Sequence, residues 1–231
     1  MDKVTIHQPQ GLGDILFCQK IAYKLIEYGY TVYWPMTKYS WISEYINKDN
    51  LIWGSSQTQT LSLNLQNSIE TNHPYDVMSC KYDMIGKTLP TIDVELHSIN
   101  YCDWSDYLII NRNKQKEDYI YYNILGLKDN EEYVFINQLY GNNQFMKEVP
   151  YGIVNKNLKV IDKKLIDGYT LFDWSKVIEN ASEIHTVDTS INYLIDVLNI
   201  KSKILKVHPR NGIDTKKCLF RLFKTKWDWV C

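Results

Sequence analysis

Apolar and polar positions along this chain fall into short runs that switch between a period of two and a period near four. The run Val4-Thr5-Ile6-His7 reads as a strand, and Ile15, Ile21 and Leu25 then recur at helical spacing, predicting a helix over residues 14–27 that Gly29 ends. Residues 31–34 read as a second strand, 40–46 as a helix and 51–53 as a short strand. The stretch 54–73 is polar and rich in Gln, Thr, Ser and Asn, so its pattern leaves the structure open, while 75–78 reads as a strand. Helical spacing returns at 104–110 and 118–125, with Gly126 placed to end the second helix.

The charged stretch 128–132 is loop-like and marks the best domain boundary, giving domains over 1–128 and 129–231. The second block carries strands at 133–137, 158–161, 183–187 and 203–207, with helices at 174–180 and 191–198. Strands alternating with helices in both halves argue an α/β chain with parallel sheets. No internal repeat is evident.

The segment joining the first strand to the first helix is Gln8-Pro9-Gln10-Gly11-Leu12-Gly13-Asp14. Strand, glycine turn and helix is the geometry that places a ligand at the carboxyl edge of a parallel sheet, and Gly11 and Gly13 let the backbone turn tightly there. Asp14 changes the picture. A carboxylate in a first helical turn is favoured by the helix dipole but repels the phosphate such a turn would otherwise attract. The turn suits a group that gives up a proton; a plain helix cap is the alternative. A dinucleotide site is disfavoured, because Leu16 stands where a third glycine is needed and the second strand ends in Trp34-Pro35 without an acidic residue.

Between the strand 183–187 and the next helix lies Asp188-Thr189-Ser190. Hydroxyls and open amides at the positive end of a helix form an anion site suited to a diphosphate, although an ordinary N-cap has the same composition. His208-Pro209-Arg210 follows the last clear strand; Arg210 could neutralise a phosphate or belong to a solvated loop. His185, in an apolar strand, reads as a core histidine, and His7 is a second acid/base candidate beside the glycine turn.

Composition narrows the partners. The 231 residues are 45% hydrophobic with a formal net charge of -1, which gives no global electrostatic case for nucleic acid or membrane. The basic, aromatic-interleaved tail (Lys216, Lys217, Phe220, Arg221, Phe223, Lys224, Lys226, Trp227) fits a packed terminal helix and strand. Five cysteines without a CxxC pair support neither a disulfide framework nor a zinc site and fit a reducing compartment. The N-terminus shows no signal-peptide apolar region and no run approaches the ~20 residues of a membrane span. These features lead us to expect a cytoplasmic chain, with peripheral membrane contact left open.

Gly11-Leu12-Gly13-Asp14 and Val187-Asp188-Thr189-Ser190, each with its following helix, resemble the paired signatures of glycosyltransferase family 9, the heptosyltransferases and their relatives; the segment 104–127 is similar to the helices that close the first domain there. The resemblance implies a GT-B architecture, two Rossmann-like domains facing across a cleft. It implies an inverting, metal-independent transfer of sugar from a nucleotide-diphosphate donor to a glycan, glycolipid or other hydroxyl acceptor, with no cofactor. Carried onto this chain, Asp14 is the general base, Gly11 and Gly13 form the acceptor-side turn, and Thr189 and Ser190 hold the diphosphate with Asp188 positioning them. Asn137 and Arg210 complete the expected donor side. The chain departs from the family in having Tyr193 where a His is common, and in lacking the loop lysine after the first donor-domain strand, where Lys147 is the nearest cation. Those departures leave a second expectation, a non-catalytic nucleotide- or sugar-binding module on the same fold.

Overall fold

The computed structural model describes residues 2–36, 38–65, 81–82, 84–85, 101, 103–141, 145–146, 149, 154–155, 157–209 and 222–230. The chain divides into two compact units, Met1–Asn111 and Arg112–Cys231, so the division falls ahead of the charged stretch 128–132.

In the first unit the apolar run after Asp2 forms β1 (Lys3–His7), with Val4 and Ile6 fully buried. The expected first helix is two helices, α1 (Leu12–Phe17) and α2 (Gln19–Glu27), hinged at Cys18. Strand β2 (Thr31–Tyr33), helix α3 (Ile42–Tyr45) and β3 (Leu51–Ile52) follow as the pattern predicts. The polar stretch supplies a strand the pattern did not reveal, β4 (Leu61–Asn64). The sheet is wholly parallel in the order β3-β2-β1-β4, with Val4 level with Val32 on one side and Leu61 on the other. Phe17 and Trp104 meet at 5.7 Å, and Lys20 binds Asp103 at 2.5 Å, which docks the 3-10 turn Trp104–Tyr107 onto α2. The expected helix over 104–110 is only this turn, because Leu108 adopts an extended backbone. The strand expected at 75–78 lies outside the described residues.

The second unit opens with a helix Lys114–Asp118 that continues as a π-helix over Tyr119–Ile124, and Gly126 beyond it has φ +60°. Its sheet takes the order β11-β10-β9-β5-β8, again all parallel: β5 (Tyr133–Asn137), β8 (Lys159–Asp162), β9 (Glu183–Val187), β10 (Ile204–His208) and β11 (Asp228–Trp229). A small antiparallel pair, β6 (Leu139–Tyr140) with β7 (Phe145–Met146), stands apart. Strands β5 and β9 are buried along their whole length, as central strands of a parallel sheet are. Phe135 packs 6.2 Å from Trp174, and the Tyr133 hydroxyl donates to the Val177 carbonyl at 2.6 Å, tying helix Ser175–Asn180 to the sheet. Among the described residues no helix is long and apolar enough to cross a membrane.

Candidate active site

Each sheet reverses its strand order once. In the first unit the chain steps from β1 outward to β2 and β3, then returns to the other side of β1 as β4. In the second it steps from β5 to β8, then places β9, β10 and β11 on the opposite side of β5. Ligands in parallel α/β sheets bind beyond the carboxyl ends of the strands where such a reversal occurs. The β1/β4 ends and the β5/β9 ends are therefore the ligand-competent edges, and the two sequence motifs lie at these positions.

At the β1/β4 ends the backbone leaves His7 and turns at Gly11 (φ +75°) into α1. Gln8 is buried and braces the turn: its side chain donates to the Gln10 carbonyl at 2.6 Å, and the Trp34 indole donates to its own carbonyl at 3.2 Å. Gly11, with no side chain, is the N-cap of α1, and Asp14 lies in the first turn with its side chain one-third exposed. Its Oδ2 lies so close over Gly11 that a Cβ there would stand 2.3 Å away. Its Oδ1 is bound at 3.1 Å by Lys81, a lysine in the described helical residues 81–82 whose side chain is 2% exposed. The Lys81 ammonium also donates to Gln8 Oε1 at 2.8 Å and to the Leu65 carbonyl at 2.9 Å. Tyr39 reaches the backbone of Leu12 beside Asp14; burial raises its phenol, with the Leu12 amide opposing. Burial pushes the Cys18 thiol up to about 12, with Lys81 opposing and Asp14 adding, so it stays an unreactive thiol. Gly13 is the second residue of α1, and His7 is exposed at the end of β1.

At the β5/β9 ends, Asn137 is level with Thr186, and His208 of β10 with Val187. Asp188 is buried. Thr189 caps the helix Ser190–Ile195: its Oγ1 accepts from the Ile191 amide at 3.4 Å, while its own amide donates to Asn192 Oδ1 at 2.9 Å. Asn192 donates onward to Thr186 Oγ1 at 2.9 Å, which fixes the turn to the strand. With the amides of Thr189, Ile191 and Asn192 used inside the turn, the open donors are the hydroxyl protons of Thr189 and Ser190 and the Ser190 amide. This is fewer open amides than the motif suggests by itself. Asn137 donates to the Leu139 carbonyl at 3.2 Å and is buried. Arg210 and Lys147 lie outside the described residues. Tyr193 is a core residue, its ring 5.0 Å from Phe223.

The structure adds Lys81 and Lys163, which no local pattern marked, and shows His185 to be the core histidine its strand predicts, joined to His208, which is buried at the end of β10. Lys163 extends β8 by donating its amide to the Ile136 carbonyl at 2.8 Å, which puts it at the same carboxyl edge as Asn137; burial lowers its ammonium, with Asp162 opposing. On the sheet itself Glu183, His185 and His208 form a buried chain, with Glu183 Oε1 2.6 Å from His185 Nε2 and His185 Nδ1 3.1 Å from His208 Nε2. A carboxylate on Nε2 makes that nitrogen the proton carrier of His185 and leaves Nδ1 to accept from His208.

No protein-family model and no curated protein sequence matches the chain. Solved structures do. A glycosyltransferase family 9 protein from Veillonella parvula superposes with a TM-score of 0.57 over 99% of this chain and 85% of its own, at 9% identity. The fold is that of a family 9 glycosyltransferase. E. coli ADP-heptose lps heptosyltransferase II (TM-score 0.49, 9% identity, 100% of this chain and 90% of that one) and E. coli heptosyltransferase WaaC with ADP-2-deoxy-2-fluoro heptose (0.46, 10%, 89% and 88%) are also similar. At these identities the likeness is one of fold, carried here by the Veillonella protein. On this family 9 fold, Lys81 could not have been found from sequence, since a lysine in a polar stretch looks solvated. The pairing of His185 with His208 needs the β9/β10 register to become visible.

Two outcomes follow from this geometry. Replacing Gly11 with Ala adds a Cβ against Asp14 at a positive φ, and should cost ~1–3 kcal/mol in denaturant melts; wild-type stability would show that the turn relaxes freely. His185 is held below its ordinary value mainly by burial, with Lys206 adding and Glu183 opposing. A histidine lowered on folding contributes stability that is complete above its unfolded value of ~6.5 and is lost as pH falls below it. Melting temperature should therefore fall between pH 8 and 5, and His185→Gln should flatten that fall; an unchanged slope would assign the acid sensitivity elsewhere.

Proposed function

We propose that this chain transfers a sugar from a nucleotide-diphosphate sugar to a hydroxyl acceptor, with inversion and without a metal. The observation that carries the reading is the pair of reversal sites on a family 9 fold: one presents a carboxylate, the other hydroxyl donors at a helix start. The reading requires the two units to face a shared cleft, as in a GT-B enzyme, so that one acceptor and one donor meet.

In the proposed step the acceptor hydroxyl gives its proton to the Asp14 carboxylate as its oxygen bonds to the anomeric carbon. The bond from that carbon to the diphosphate oxygen breaks, and its electron pair leaves with the nucleoside diphosphate. A single displacement from the face opposite the leaving group inverts the anomeric centre. Thr189 and Ser190 meet the charge developing on the diphosphate, Asp188 and Asn137 shape that edge, and Lys163 supplies the cation that the family places on the preceding loop. The acceptor is a glycan or glycolipid hydroxyl. A buried free thiol at Cys18 suits a reducing, cytoplasmic setting.

Incubating the protein with labelled nucleotide sugars and host glycan extract should yield a labelled product of inverted configuration. Asp14→Asn should keep donor binding and lose ~10²-fold or more of turnover. Unchanged turnover would remove Asp14 from the mechanism, and donor binding without transfer to any acceptor would make the chain a binding module.

A further inference from the structure

The strongest unassigned feature is a buried charge against the partly exposed Asp14 carboxylate. Lys81 is among the largest fully buried side chains, and its ammonium bridges both strands that flank the first reversal, through Gln8 after β1 and Leu65 after β4. It therefore occupies the crevice where a sheet of this kind would otherwise seat a ligand. Its ammonium has three neighbours: it donates to an amide oxygen and a main-chain carbonyl, and it forms an ion pair with Asp14 Oδ1 at 3.1 Å. Two of the three are neutral, so Asp14 is the counter-ion of a charge that would be costly to bury alone.

We propose that Lys81 is the positioning residue of the acceptor-side site, resting on the reading of Asp14 as base. With two protons committed to the ends of the two neighbouring strands, the ammonium is fixed in place, and its charge holds Asp14 Oδ1 at 3.1 Å. The carboxylate is pinned at its other end by the bare Cα of Gly11, over which Oδ2 lies. Carboxylate direction is thus set from below by Lys81 and from the side by Gly11, and Oδ2 is the oxygen left to take the proton of an acceptor hydroxyl. Lys81 itself transfers no proton. By filling the crevice with a spent cation capped by an anion, it also keeps phosphate out of this half and restricts the turn to neutral hydroxyl acceptors.

The test is a double-mutant cycle of Lys81→Met and Asp14→Ala, with turnover counted per donor-binding site and melting temperature measured alongside. In the wild-type background Lys81→Met should lower kcat ~10-fold or more while the donor KM stays within ~2-fold; in the Asp14→Ala background it should lower kcat by less than ~2-fold, the non-additivity expected of groups acting as one unit. A purely structural lysine would cost the same factor in both backgrounds, and that result would overturn the proposal, as would wild-type kcat in folded Lys81→Met. If Lys81→Met does not fold, Lys81→Gln, which keeps a donor toward Asp14 without the charge, is read the same way. Melting separates this inference from the function it rests on. Even with no transfer detected, Asp14→Ala should lower the melting temperature by stranding the ammonium, and adding Lys81→Met should restore part of it. Independent, additive shifts would show that the two residues are not coupled.

Discussion

The order in which each sheet is laid down governs where this chain can present chemistry. Parallel strands need crossovers, and where the crossovers change direction the carboxyl ends of two neighbouring strands part. Both sheets change direction beside their first strand, β1 in one unit and β5 in the other. The candidate residues lie at or beyond those strand ends: Asn137 ends β5, Asp14 and Ser190 lie in the first turns of the helices that follow β1 and β9, and Lys81 lies in helical residues after β4.

The two gaps are finished differently. The first is filled from inside by Lys81 and closed by Asp14, so its surface is anionic over a buried cation. The second is bordered by a helix start whose Thr189–Asn192 cap uses up several amides and leaves hydroxyl protons as donors, with Lys163 at the next strand end. Under the proposed transfer the two turns make complementary demands, the acceptor losing a proton and the donor losing its diphosphate. That division is the reason for proposing a transferase and not two unrelated binding loops.

Much of the fold was legible because its central strands are runs of β-branched and aromatic residues bounded by turns. β9 occupies Glu183–Val187 and β5 Tyr133–Asn137, the ranges the pattern predicts. Where one face alone is apolar the signal fails: β4 buries Leu63 but exposes Leu61 in a polar stretch, and it was invisible. Helical spacing at 118–125 predicts a helix and the segment is helical, yet the ladder over Tyr119–Ile124 is that of a π-helix, a distinction of hydrogen bonding that side-chain periodicity does not encode. At the sites, Asp14 and the 188–190 turn stood out because glycine, hydroxyl and carboxylate residues followed a strand. Lys81, Lys163 and the Glu183–His185–His208 chain did not, because their meaning lies in burial and in contacts between strands far apart in sequence.

Under the proposed function the β5/β9 gap receives a nucleoside diphosphate through the turn at 188–190. The direct measurement is the melting temperature of the protein against ADP, UDP, GDP and CDP without added metal, repeated on Ser190→Ala and Thr189→Val. A ligand at 100 times its dissociation constant should add ~2.7 kcal/mol, roughly 5 to 10 °C at this chain length. Such a rise is expected for one base, reduced in both variants. A rise that both variants retain in full, or none with any nucleotide, would contradict it.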